Sequence, residues 1–345
     1  MKLGLIGLPG AGKTTIFEAL TRSQLDPAQR RESRLGTVHV PDERVDRLSA
    51  LYQPRKTTYA QVAYLLPAVA EAARDKGRAE QSVWLQVREC DALLHVVRNV
   101  QALDGRAPSL TADFQAIDQE LMLADLVVAE KRLERLAMEQ KRGKKPDAEE
   151  LALLEQCVAH LNNETPLRRF PELAHARLLR GFAFLSAKPC LVIYNNPDED
   201  EALPADDPAA DGEQRLTIRG KLEQELSRMQ PDEAEAFLKA FDIQDSAMDR
   251  VIHASYALLG RISFFTVGED EVRAWTIQSG TAAVDAAEVI HSDIKKGFIR
   301  AEVLAYDDLM AAGNYAEARK QAKVRLEGKT YEVRDGDIVH FRFNV

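Results

Sequence analysis

Near its start the chain reads Gly7-Leu8-Pro9-Gly10-Ala11-Gly12-Lys13-Thr14, directly after the apolar stretch Leu3-Gly4-Leu5-Ile6. This is a complete G-x-x-x-x-G-K-S/T pattern set between an expected strand and the expected helix Thr15-Ile16-Phe17-Glu18-Ala19-Leu20. In such a loop the glycines let backbone N–H groups turn inward around a phosphate. Lys13 supplies a point charge to the β and γ oxygens, and the Thr14 hydroxyl is placed to ligate Mg²⁺. Pro9, Gly10, Ala11, Gly12, Lys13, Thr14 and Thr15 are therefore the candidate nucleotide-phosphate site, with Lys13 and Thr14 as the catalytic candidates and Thr14 as the metal ligand. A strand–loop–helix of this type implies an α/β fold built on a parallel sheet.

Composition bounds the partners. A chain of 345 residues with 45% hydrophobic content is expected to form two or three folded domains. Its net charge of -9 argues against general adhesion to nucleic acid, so any RNA contact must be regional. Cys90, Cys157 and Cys190 lie far apart without C-x-x-C spacing, which indicates neither a zinc site nor a disulfide framework and fits a reducing compartment. No apolar run approaches a membrane span, and the phosphate-loop strand leaves no room for a signal peptide. The expectation is a cytoplasmic protein with no membrane partner. Its seven histidines form no H-x-x-x-H or H-E-x-x-H pattern, and Trp84 and Trp275 are expected to pack rather than stack on bases.

Between the loop and about residue 110, short apolar runs such as Thr37-Val38-His39-Val40 and Ala92-Leu93-Leu94-His95-Val96-Val97 alternate with helical stretches, the pattern of βαβ units. Phe114, Ile117, Leu121, Ala124 and Val128 then recur at helical spacing. A Gly-, Pro- and charge-rich break follows at Lys141-Arg142-Gly143-Lys144-Lys145-Pro146-Asp147, and Leu151, Leu154, Val158 and Leu161 restart the stripe. This predicts an antiparallel helical hairpin whose basic tip either contacts RNA or is simply solvated. The α/β pattern resumes with the strand Pro189-Cys190-Leu191-Val192-Ile193-Tyr194, ending in Asn195-Asn196-Pro197-Asp198, and helical stretches run through 221–258. From Ile262 the chain reads as short strands with turns and one helix, a small β-grasp module. The expected division is a nucleotide-binding domain over 1–112, the hairpin over 113–166, the nucleotide-binding domain again over 167–261, and the C-terminal module over 262–345.

The C-terminal residues carry a specific resemblance. Phe264-Phe265-Thr266-Val267-Gly268, Glu271-Val272-Arg273-Ala274-Trp275-Thr276-Ile277, Gly297-Phe298-Ile299-Arg300-Ala301-Glu302-Val303, Arg325-Leu326-Glu327-Gly328-Lys329 and the ending Asp335-Gly336-Asp337-Ile338-Val339-His340-Phe341-Arg342-Phe343-Asn344-Val345 are similar to the TGS domain of the YchF/Obg-like ATPase family. The resemblance extends over nearly the whole chain. It implies a GTPase-like core, an inserted helical hairpin, a ubiquitin-like TGS domain, ATP or GTP with Mg²⁺ as ligands, and a ribosome or ribosomal RNA as partner through the TGS domain and hairpin. Arg273, Lys295, Lys296, Arg300, Arg325 and Lys329 could give the TGS domain a positive face toward RNA phosphates, or simply line a solvated sheet.

The nucleotide-binding half departs from the family pattern. Aligning Thr57-Thr58-Tyr59-Ala60-Gln61-Val62-Ala63-Tyr64 with the family's strand puts Leu66 where the DxxG aspartate belongs and Val69 where its glycine belongs. The aspartate organises Mg²⁺ through water and the glycine N–H senses the γ-phosphate. The segment before Gly36-Thr37-Val38 is shortened, and Thr37 is no assured switch threonine. Slow hydrolysis, or binding without hydrolysis, is the expectation. For the base, Asn195 and Asp198 align with the family's Asn-x-x-Glu. A carboxylate at Asp198 can accept two hydrogen bonds from guanine N1–H and N2–H₂, although the same four residues also make an ordinary strand-ending turn. Gly220 and Lys221, in Arg219-Gly220-Lys221, fall where the family has its last base-contacting loop. A nucleotide kinase would use the same phosphate loop, but no second arginine cluster accompanies it.

Overall fold

The computed structural model describes residues 1–24, 32–68, 83–101, 105–209, 213–240 and 246–344. By its contacts the chain divides into two compact units, Met1–Thr37 with Ala63–Val251, and Val38–Val62 with Ile252–Val345.

The first unit is organised by strands β1 (Lys2–Ile6), β2 (Arg34–His39), β4 (Gln61–Leu66), β5 (Ala92–Arg98), β6 (Cys190–Asn195) and β7 (Gln214–Ile218), in the sheet order β2-β4-β1-β5-β6-β7. The pairs β4–β1, β1–β5, β5–β6 and β6–β7 are all parallel. Every residue of β6 is buried, as is β5 up to Val97, which is why these strands read as unbroken apolar runs rather than as alternating ones. Helix α1 (Lys13–Thr21) follows β1 directly.

The predicted hairpin is present as α3 (Leu110–Lys141) and α4 (Ala148–Asn162). Two apolar stretches of α3 have different destinations. Phe114, Ile117 and Leu121 share a core with Leu93, Val97 and Tyr194 of the sheet, whereas Ala129 and Leu136 pack with Leu154, Cys157 and Leu161. Asp147 caps α4, its carboxylate accepting the Glu149 and Glu150 N–H groups.

Two buried polar clusters pin the hairpin to the sheet. Asp125 is fully buried and accepts the N–H groups of Leu185 at 2.9 Å and Ser186 at 2.7 Å, with Arg88 at 3.3 Å. Arg168 holds Asp118 of α3 through one amino group at 2.7 and 2.9 Å and Glu213 at 2.7 Å.

The second unit contains α2 (Glu43–Tyr52), β3 (Lys56–Thr58), α7 (Ala247–Leu258) from Ile252 onward, β8 (Arg261–Thr266), β9 (Glu271–Gln278), β10 (Phe298–Ala305), β11 (Arg325–Glu327) and β12 (Asp337–Phe343). Its sheet order is β11-β10-β12-β8-β9-β3. An antiparallel β8–β9 hairpin, a helix, and then β10 antiparallel to a β12 that lies parallel to β8 make the β-grasp arrangement. Phe264, Ile277, Val303, Val339 and Phe341 form its core with Ala283, Ala286 and Ala287 of the covering helix α8 (Ala283–Ile290).

Two expectations change here. The stretch Thr57–Tyr64 is not one strand: Lys56, Thr57 and Thr58 pair with Glu271, Val272 and Arg273 of β9, whereas the core strand starts at Gln61. The Thr58 hydroxyl donates to Glu271 at 2.7 Å, which fixes this edge pairing. In place of one C-terminal helix there are four: α8, α9 (Ser292–Lys296), α10 (Tyr306–Ala312) and α11 (Tyr315–Lys320). The last three span two turns or fewer and depend on local caps. His291 accepts the Asp293 N–H, Gly313 ends α10 at φ 80°, and Asn314 accepts the Glu317 N–H. Helices this short show no readable period.

Replacing Asp125 with Ala should strip two buried N–H groups of their acceptor and leave Arg88 without its counter-charge. The expected cost is about 3 to 5 kcal/mol, read as a lowered denaturant midpoint for the transition reported by buried Trp84 fluorescence.

Candidate functional site

The loop after β1 is shaped by steric contacts that only glycine tolerates. Gly7 sits at φ 140°, and a Cβ there would lie 2.3 Å from the Val96 carbonyl oxygen of the neighbouring strand β5. Gly12 sits at φ 102°, and its Cβ would lie 2.3 Å from Asn195 Nδ2. Ala11 is buried and its N–H closes a turn onto Leu8 O at 3.2 Å, leaving Pro9 and Gly10 exposed at the tip. Thr14 and Thr15 lie half-buried in the first turn of α1, where the leading N–H groups of any helix lack intrahelical acceptors and the dipole favours an anion.

Lys13 folds back over this loop. Its Nζ donates to Gly7 O at 2.7 Å and Leu8 O at 2.9 Å, and burial pulls the ammonium down to about 8. The charge is held by two neutral carbonyls, an arrangement that an anion in the loop would complete.

The second half of the site reaches the first through one side chain. Asn195, at the end of β6, donates from Nδ2 to Ala11 O at 3.0 Å and accepts the Gly220 N–H on Oδ1 at 3.1 Å. Gly220 opens helix α5 (Gly220–Arg228), which α6 (Pro231–Ala240) follows in the chain, and a Cβ on Gly220 would stand 2.5 Å from Asn195 Oδ1. Asn195 and Gly220 are thus joined to the phosphate loop. Lys221, next along α5, is exposed and has no ion pair among the described residues. The Asp198 carboxylate is half-buried and likewise without a hydrogen bond or ion pair among the described residues.

Asn196 is turned inward instead. It is buried, donates to Ala202 O at 2.9 Å and accepts from Asn99 Nδ2 at 2.9 Å, so its side chain braces the loop rather than covering a base.

Several residues of this region carry no sequence motif. Arg219 pairs with Glu201 and donates to Asp198 O, tying the loops after β6 and β7 together. Buried Glu18 of α1 is bonded to Gln224 and Arg228 of α5. His95, beside β1 in the sheet, is buried and stacked on Phe114 at 5.1 Å, its Nε2 has no hydrogen-bond partner among the described residues, and burial holds it down at about 4, hence neutral at physiological pH.

The loop's chemistry fits a polyphosphate, since the leading N–H groups of α1, the Lys13 ammonium and two glycines with no room for a side chain, Gly7 and Gly12, lie together in it. For Mg²⁺ the protein offers less. Thr14 supplies a hydroxyl, Leu66 stands at the end of β4 with Pro67 after it, and Val69 lies outside the described residues. Among the described residues no three His, Cys, Asp or Glu side chains converge as a metal site. Thr37 is exposed on the edge strand β2.

A parallel sheet with this loop at the end of β1, an inserted helical hairpin and a β-grasp unit define a P-loop nucleotide-binding protein. Residues 261–344 match the family described as YchF-GTPase_C, a protein of unknown function (DUF933). The chain is similar to the ribosome-binding ATPase YchF of Bacillus subtilis (strain 168), at 36% identity over 363 residues covering 99% of both chains. It is 36% identical to the protein of that name from Pasteurella multocida (strain Pm70) over 361 residues, covering 100% of this chain and 99% of that one. The solved structure of the Schizosaccharomyces pombe YchF GTPase superposes with a TM-score of 0.84 at 28% identity, over 99% of this chain and 97% of that one. The chain belongs to the YchF family.

Two outcomes follow from the geometry. Gly220→Ala forces the Asn195 carboxamide away from the loop and should weaken nucleotide binding roughly ten- to a hundredfold, the loss expected for one buried hydrogen-bonded contact, with an unchanged circular dichroism spectrum. Nucleotide affinity should also fall as the pH rises. A bound phosphate favours the charged form of Lys13 and so raises its pKa above about 8 again. Below that pH the ammonium is already charged and affinity is full. Above it, binding must take up a proton and affinity drops by up to about tenfold per pH unit. Calorimetry across this range in two buffers of different ionisation enthalpy would show the uptake, and a flat profile would contradict it.

Proposed function

We propose that this chain binds a purine nucleoside triphosphate in the Gly7–Thr15 loop, hydrolyses it slowly, and acts in the cytoplasm as a nucleotide-regulated factor on the ribosome. The observation that carries the nucleotide reading is the Lys13 ammonium, held over the loop by Gly7 O and Leu8 O alone among the described residues, with its pKa pulled down to about 8 by burial. Backbone N–H groups from Gly10 to Thr15 would hold the phosphates, and Lys13 would stabilise the charge that develops during transfer. Mg²⁺, carried on Thr14 and the phosphates, would supply further charge neutralisation. No side chain of the loop is a general base, so rate rests on positioning and electrostatics.

Asp198, with its unengaged carboxylate, favours guanine, whereas the named bacterial relatives are ATPases. The ribosome enters from the names of those same relatives. In the TGS domain, four of the six candidate cations are already neutralised. Arg273 lies near Glu271 and stacks on Trp275, Lys295 meets Asp285 and Glu288, Lys296 meets Asp293, and Arg325 meets Glu327 and Asp337. Arg300 and Lys329 remain exposed without an acidic partner among the described residues, which gives ribosomal RNA only a small contact there. No described helix is long and apolar enough to cross a membrane.

A second reading, nucleotide binding without turnover, is favoured by Leu66, a hydrocarbon where a water-organising carboxylate would stand. The two readings separate on differential affinity, because a ligand bound equally in two states shifts nothing. Calorimetric titration with Mg²⁺-ATP, Mg²⁺-GTP and both diphosphates should give one triphosphate binding clearly more tightly than its diphosphate. Lys13→Ala should lose roughly ten- to a hundredfold, the worth of a charged hydrogen bond. Equal triphosphate and diphosphate affinities with no phosphate release would favour the second reading. Binding undiminished in Lys13→Ala would remove the loop from both.

A further inference from the structure

The loops that follow β1, β6 and β7 leave the carboxyl ends of parallel strands, the edge along which a ligand of such a sheet lies. With its phosphates in the Gly7–Thr15 loop, a nucleoside must run along that edge toward β4 on one side or toward β6 and β7 on the other. On the first side β4 ends in Leu66 and Pro67, which offer no polar side chain. On the second, the Asp198 carboxylate and the Lys221 ammonium stand without ion pairs among the described residues, and Asn195 ties this region to Ala11 and Gly220. The groups able to meet the edges of a base therefore lie beyond β6 and β7. A flat ring to meet its face is missing there: the sequence from Asn195 to Gln230 contains no Phe, Tyr, Trp or His.

Arg219 supplies a plane of another kind. Its backbone is fixed on both sides, since Ile218 before it accepts the Asn196 N–H at 2.8 Å and Gly220 after it donates to Asn195 Oδ1 at 3.1 Å. Its side chain reaches the loop after β6, where Nη1 donates to Asp198 O at 3.5 Å and Nη2 pairs with Glu201. That loop is itself held, by the Asn196 amide on Ala202 O at 2.9 Å and the Thr217 hydroxyl on Glu201 O at 2.7 Å. The N–H groups of a guanidinium lie in its plane, so neither contact uses its faces. Arg44, Arg273, Arg319 and Arg325 each lie over an aromatic ring of the protein, whereas Arg219 has no such ring among the described residues. With only 16% of its side chain exposed, it is a held plane rather than a solvated head group.

We propose that the Arg219 guanidinium, positioned by Glu201, is the platform on which the base of the bound nucleotide stacks. The proposal deepens the nucleotide reading above and rests on it. Stacking grows with ring overlap and is indifferent to the groups on a base's edge. Arg219 therefore selects two-ring purines over pyrimidines and leaves the choice between adenine and guanine to edge groups such as Asp198.

The test compares the full chain with its variants Arg219→Gln, Arg219→Lys and Glu201→Gln by calorimetric titration with the Mg²⁺ complexes of ATP, GTP, UTP and inorganic tripolyphosphate. Tripolyphosphate carries the phosphates without a base and so reports the loop alone. Lysine keeps the charge that pairs with Glu201 but has no flat face. Arg219→Gln and Arg219→Lys should each bind the preferred purine triphosphate roughly five- to a hundredfold more weakly, the worth of one stacked base. Their affinity for tripolyphosphate should be unchanged, and the preference over UTP should shrink. Glu201→Gln, at an exposed position, should lower purine affinity severalfold by releasing the guanidinium. Purine affinity undiminished in Arg219→Gln, or retained in Arg219→Lys, would overturn the proposal, as would a parallel loss of tripolyphosphate binding. A wild-type chain that binds tripolyphosphate as tightly as ATP and GTP would overturn it while leaving the phosphate loop in place. One that binds neither tripolyphosphate nor any nucleotide would remove the nucleotide reading, and the proposal with it.

Discussion

The candidate nucleotide site is held together by the carboxamide of Asn195. Its amide nitrogen bonds the phosphate loop at Ala11 O and its oxygen bonds the Gly220 N–H. Both approaches are so close that position 12 and position 220 admit no Cβ. The same demand arises once more at Gly7, where the Val96 carbonyl fills the space a side chain would need. These contacts follow from the parallel sheet. With the order β1-β5-β6-β7, the loops leaving the ends of β1, β6 and β7 emerge along one edge, and β5 lies between the first two. The glycines are therefore a consequence of strand order as much as of phosphate chemistry.

Charge is handled differently in the interior than in the loop. Arg168 is matched by Asp118 and Glu213, and Asp125 by two N–H groups and Arg88, so these buried ions anchor the hairpin without remaining reactive. Lys13 has only carbonyl dipoles among the described residues to offset its burial, and that burial lowers its pKa. A site made of backbone donors, one ammonium and one hydroxyl recognises phosphate well and offers little for activating water. The chemistry expected of it is thus positioning and charge stabilisation rather than proton abstraction.

The features legible in the sequence were those with a strong local signal. The phosphate loop is a contiguous pattern, β5 and β6 are apolar runs because they are covered on both faces, and α3 and α4 keep a helical stripe on either side of a Gly-Pro break. What escaped depended on partners far along the chain. Thr57 and Thr58 look continuous with Gln61–Leu66, and only pairing with residues more than two hundred positions away assigns them to another sheet. Asn196 reads as one residue of a strand-ending turn, yet a bond from Asn99 turns it inward. The Glu201–Arg219 and Glu18–Arg228 pairs have no periodicity to betray them. Short capped helices such as Tyr315–Lys320 are set by one side-chain cap, below the length at which a pattern can be read.

Connectivity adds a constraint that neither motif nor packing supplies. The chain leaves the first unit after Thr37, returns at Ala63 and leaves again after Val251. The first two crossings fall inside β2 and β4, and β4 pairs directly with β1, the strand that leads into the phosphate loop. Within the second unit the excursion between them is firmly held. Arg44 of α2 bonds Asp42 and Asp335 and lies 5.1 Å over the Phe265 ring, His253 bonds Pro41 O at 2.7 Å, and β3 pairs with β9. The excursion is therefore anchored at both ends, in the first sheet through β2 and β4 and in the second unit through these contacts, so the strand beside β1 and the edge strand β3 of the second sheet belong to one continuous stretch of backbone.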